Sequence, residues 1–173
     1  MNYSTRTQKS ALQMTRMELL DAFHAERSRC IDAFAAIEEA VISLLRILEI
    51  KSGGEPFSHK LEILRKAKPN RQFSDARLLQ LTTLLPACVE LNALRNDIVH
   101  ARLQMAEIGG EFRACFTNAR ECMAGSQTAR LFTLEGLVEV QGALTKLAVE
   151  LNQILINPAS SPRPPLPGAA GGP

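Results

Sequence analysis

Between residues 12 and 50 the chain carries neither proline nor glycine, and Leu20, Phe23, Cys30, Phe34, Ile37, Val41, Leu44 and Leu48 recur at intervals of three, four or seven. That period predicts one apolar face of a long α-helix. Unbroken, the helix would run about 58 Å, more than a domain of this size requires, so its first two turns are expected to fray or bend away. Lys51-Ser52-Gly53-Gly54-Glu55-Pro56 supplies stop chemistry. A short helix is predicted over 58–67 on Leu61, Ile63 and Leu64, ended by Pro69-Asn70. Ser74 then offers an N-cap to a segment carrying Leu78, Leu81, Leu84 and Leu85. Pro86 either kinks that helix or opens a fresh one as its first-turn residue.

The next stretch has two patterned faces. Leu84, Ala87, Leu91, Leu94, Ile98, Ala101 and Met105 alternate at three and four and form the expected core stripe. A second series, Val89, Asn92, Asn96, Val99 and Leu103, mixes aliphatic side chains with amides where a solvated face would carry Lys and Glu. It predicts a surface that meets another protein, the amides finding hydrogen-bond partners on assembly, and is read as a homodimer interface. Past Arg102 the period changes. Gly109-Gly110, flanked by moderate alternation, predicts a small β-hairpin over 103–116. Residues 118–129 read as an irregular connection. Thr133 caps a last helix over 134–156, built on Leu137, Val138, Leu144, Leu147, Leu151 and Ile154. The stretch 157–173 holds most of the chain's prolines with Ala, Ser and Gly and reads as a disordered tail. The predicted fold class is all-α: an antiparallel helical bundle of about four main helices plus a short one, one domain over 1–156, with the hairpin as an insertion.

Composition narrows the function. The 173 residues suffice for one core, and 46% hydrophobic with 22% charged side chains is a globular balance. A net charge of +2 gives no broad field toward nucleic acid or an anionic membrane, so any polyanion contact must be local. The polar first ten residues lack the apolar region of an export signal, and no stretch approaches the roughly 20 apolar residues of a membrane helix. The expected compartment is the cytoplasm, with no membrane partner. Cys30, Cys88, Cys115 and Cys122 lack CxxC spacing or a matching His pair, so they read as reduced core thiols, with no metal and no cofactor implied. His24 and His59 read as structural or exposed, and Arg27, Arg29, Arg65, Lys66 and Lys68 as solvated faces. Neither a nucleophile elbow nor a phosphate-cradling glycine loop is recognisable.

The chemistry that remains lies in Leu94-Arg95-Asn96-Asp97-Ile98-Val99-His100. An imidazole, with an ordinary pKa near 6.5, can take a proton from a ribose 2′-hydroxyl or give one to a leaving 5′-oxygen. A guanidinium forks onto phosphate oxygens and stabilises charge developing there. Asn96 stands one turn before His100 and can orient its ring. Arg95 and His100 lie about 140° apart around an ideal helix, so a two-fold partner is needed for them to converge. Glu90 and Asp97 are the only nearby acids, which fits metal-free phosphodiester chemistry better than a two-metal site.

Arg95, followed by Asn96 and then, after three residues, His100, resembles the signature of the HEPN superfamily: Arg, four to six residues, His, often with a polar residue directly after the Arg. The resemblance is local to residues 91–102, and over 12–156 it extends only to the order of helices. It implies helical domains that pair so that two motifs form one cleft. Active members are metal-independent endoribonucleases of toxin–antitoxin and phage-defence systems, while others are silent dimerisation or interaction modules. For this chain it implies Arg95, Asn96 and His100 as catalytic residues, RNA as substrate, and a neutralising antitoxin or other protein as partner.

Overall fold

The computed structural model describes residues 14–117 and 129–156. In chain order these form α1 (Arg16–Ile47), α2 (Phe57–Arg65), α3 (Asp75–His100), β1 (Arg102–Ile108), β2 (Glu111–Thr117), β3 (Ala129–Phe132) and α4 (Leu134–Ile156). Cys122, most of the expected connection over 118–129 and the tail at 157–173 lie outside the described residues.

A capping box starts α1: Thr15 Oγ1 accepts from the Glu18 amide at 3.3 Å, and Glu18 Oε2 accepts from the Thr15 amide at 2.8 Å. The helix buries Leu19, Phe23, Cys30, Phe34, Ile37, Val41, Leu44 and Leu45. It ends at Ile47, ahead of the glycines expected to stop it, because Glu49 turns into the left-handed region at φ 59°. Asn70 Nδ2 donates to the freed Ile47 carbonyl at 2.8 Å.

Helix α3 is continuous through Pro86, so the described residues form three long helices and a short one where about four main helices plus a short one were expected. The proline sits on the exposed side, where its ring meets solvent rather than the core. In the turn before it, the Thr82 and Thr83 hydroxyls donate to the carbonyls of Leu79 and Gln80. In the first half of α3 the buried positions are Arg77, Leu81, Leu85 and Cys88. Leu84 and Ala87 of the expected stripe are only half-buried there, while Ile98 and Ala101 are buried as expected.

The fold is mostly helical but not all-α. The hairpin exists, with Gly109 at φ 64° and Gly110 at φ 82°, the doubly left-handed turn that Gly-Gly supplies without strain. A third strand, β3, pairs with β2 to give an antiparallel sheet of order β1-β2-β3, with Leu103 opposite Phe116 and Ala114 opposite both Met105 and Phe132. The four residues of β3 are too few for a legible alternation. Phe116 and Phe132 meet edge to face at 5.7 Å.

Side-chain bonds fix the helix directions. Arg77, near the start of α3, bonds to carbonyls at the end of α4; Arg27 on α1 bonds to carbonyls at the end of α3; Cys30 Sγ lies 3.9 Å from the Leu137 carbonyl. Successive long helices therefore alternate in direction, leaving α1 and α4 side by side and parallel. Leu137, Leu144, Leu147, Leu151 and Ile154 of α4 are buried, whereas Val138, expected in the core, is exposed.

Candidate active site at the end of α3

The run from Arg95 to His100 occupies the last turn and a half of α3, and His100 is the final helical residue. The chain leaves the helix because Ala101 is extended, at φ −79° and ψ 152°. A helix end leaves carbonyls without partners, and here one side chain collects them. Arg27 Nε donates to Ile98 O at 2.9 Å, and its Nη2 donates to Val99 O at 3.1 Å and Ala101 O at 2.9 Å. Its guanidinium also lies 5.9 Å from the Phe116 ring centroid. Arg27 is thus no solvated residue. The signal was its place in the core spacing of α1, four residues after Phe23 and three before Cys30.

Arg95 points toward α1 and α2. Its side chain is 25% exposed, and Nη2 donates to Glu38 Oε2 at 3.2 Å. The other Glu38 oxygen lies 3.8 Å from Nζ of Lys60, a side chain only 8% exposed. One carboxylate thus stands between two cations, and of a guanidinium's five donors the bond to Glu38 engages only one on Nη2. Asp97 forms an ion pair with Arg130 of β3, which ties the sheet to the motif turn. Sequence spacing gave no sign of Glu38, Lys60 or Arg130, since these contacts are made only by the tertiary fold.

Asn96 and His100 are both exposed, one turn apart. Within one chain the fold brings these two to the same face and turns Arg95 away from it. Of the series expected at an interface, Val89 is 59% exposed and Asn96 is exposed, Asn92 is half-buried, and Val99 and Leu103 pack against the chain's own core, Leu103 from β1. The exposed face of α3 instead runs through Pro86, Val89, Ala93, Asn96 and His100, at intervals of three and four. These five positions carry no charge, Glu90 stands exposed beside them, and Ala93 at their centre leaves room for close approach of another backbone.

No family model, curated protein or solved structure matches the chain. Among the described residues, no group of three or more His, Cys, Asp or Glu side chains is placed to hold a metal ion, and no helix is long and apolar enough to cross a membrane. Burial pushes the Cys30 thiol up to about 11, with Glu26 beside it adding to the shift, and burial does the same to Cys88. Neither supplies a thiolate nucleophile near neutral pH. Cys115 is half-buried on the sheet, with Sγ 3.8 Å from Thr117 Oγ1.

Proposed function

We propose that the protein is a homodimeric, metal-independent endoribonuclease whose two copies meet along the exposed face of α3. His100 acts as general acid or base, Arg95 stabilises charge on the phosphate, and Asn96 orients the imidazole. The observation that carries the reading is the exposed stripe from Pro86 to His100, which ends on the two polar side chains the chemistry requires. Along its first half, α2 and α3 leave a groove of about 530 Å³ that includes Leu61, Leu85, Pro86 and Val89, with Glu62, Arg65 and Glu90 also lining it, room for side chains of a second α3. A two-fold axis near Asn96 sets one copy's His100 against the other's α3, and Arg95, held toward α1 by Glu38, must leave that ion pair to reach a phosphate there. The likeness of the motif to the HEPN signature supports the same assignment.

The test is cleavage of RNA by the purified protein in EDTA, with a 2′,3′-cyclic phosphate expected on the 5′ product. His100→Ala is expected to lower the rate by at least about 100-fold. A folded dimer that cuts no RNA, or a His100→Ala variant that cuts as well as the parent, refutes the assignment.

The Arg95–Glu38 ion pair favours a second reading, a dimerisation or protein-interaction module in which Arg95 only braces α3 against α1. Arg95→Lys separates the two. It keeps a charge for Glu38 but loses the planar fork, so cleavage falls at unchanged melting temperature in the first reading. In the second there is no cleavage to lose.

A further inference from the structure

Beside the exit of α3, the first turns of α1 and the first half of β1 enclose a groove of about 570 Å³. Met17, Leu20, Leu103 and Met105 give it apolar walls, and Arg16, His24 and Gln104 supply its polar groups. Among the described residues, no carboxylate lines it. Its volume falls within the roughly 300–1,000 Å³ of small-molecule sites. It also adjoins the candidate active site. His24 stands one turn before Arg27, whose Nη2 holds the Ala101 carbonyl at 2.9 Å, and Leu103 is three residues past His100, at most about 10 Å of chain.

We propose that this groove seats a nucleobase of single-stranded RNA, that of a nucleotide next to the phosphodiester at His100. The assignment deepens the ribonuclease reading and rests on it for the identity of the strand. A base has two apolar faces and a hydrogen-bonding edge, and the lining matches both. Methionine thioethers and leucine methyls pack against the ring faces, and the His24 imidazole or Arg16 guanidinium stacks on them as such groups do in RNA-binding proteins. Gln104 offers a donor and an acceptor to the base edge. Arg16 places a positive group beside a phosphate, and His24 adds ring nitrogens that can hydrogen-bond to it. With a net charge of only +2, the chain must hold a polyanion by local features of this kind. A described lining without a carboxylate offers a basic peptide no counter-charge.

The experiment uses the full chain bearing His100→Ala, with methionine methyls labelled for NMR, titrated with the four nucleoside 5′-monophosphates and a short single-stranded oligoribonucleotide. The Met17 and Met105 methyl signals are expected to shift. His24→Ala and Gln104→Ala, both at exposed positions, are expected to weaken oligonucleotide binding about 10-fold each. With His100 intact, Gln104→Ala is expected to change the base preferred beside the cut. If the methyls respond to nucleotides but the parent cuts no RNA, the groove stands and the nuclease falls. If the parent cuts RNA while both methyls stay unmoved and both variants keep its base preference, the groove assignment is overturned and the nuclease stands.

Discussion

A single guanidinium decides how α3 ends. Arg27 satisfies the carbonyls of Ile98, Val99 and Ala101 from a helix 71 or more residues earlier in the chain. Arg77 does the same for α4, donating to Ile154 and Leu155 while stacking 4.6 Å from the Phe73 centroid. Removing either leaves half-buried carbonyls without a partner, and bonds to charged donors contribute about 1.5–3 kcal/mol. Arg27→Ala is therefore expected to lower stability by about 2–3 kcal/mol, read as a shift of the urea midpoint at unchanged slope. Arg27→Lys restores little of it, because an ammonium cannot span three carbonyls in one plane. The roles of these arginines were half legible. Their spacing put both beside the core faces of their helices, but nothing local names a carbonyl acceptor that far along the chain. His100, Asn96 and Arg95 were legible as a motif, whereas the Glu38 that holds Arg95 was not.

At the scale of elements, the face of α3 is the feature with most consequence. A helix face of Pro86, Val89, Ala93, Asn96 and His100, with Glu90 at its edge, suits a close helix–helix contact across a two-fold axis. Val89→Glu and Ala93→Glu each put a charge into the proposed contact, so each is expected to convert the proposed dimer to monomer in sedimentation experiments. Both positions are exposed within one chain, so the monomer's own stability should change by no more than about 0.5 kcal/mol. A dimer that survives both changes removes this face as the interface. Periodicity revealed that α3 has a second patterned face but placed it one side chain off. The three-four count was carried past the helix end to Leu103, and the helix stops at His100. The helices and the Gly-Gly hairpin were legible because each has a long period or a specific turn. β3, with four residues, has neither.

For the whole molecule, the core brings α1, α3, α4 and one face of the sheet together, with Cys30 and Cys88 sealed inside. Both thiols titrate near 11 in the folded protein against an ordinary 9.0. As pH rises from 9 the unfolded chain loses these protons first, so ionisation draws the equilibrium toward unfolding. The stability that neutral thiols contribute is complete below pH 9 and is lost as pH climbs through 11. The melting temperature should therefore fall over that window, and Cys30→Ala with Cys88→Ala should flatten this limb while lowering the plateau. The parallel seating of α4 on α1 has one more consequence, for synthesis. The ribosome makes the apolar face of α1 long before its cover, and Arg77 must wait for acceptors that emerge some 77 residues later. A chain halted by a premature stop before α4 exposes that face and becomes a substrate for quality-control proteases.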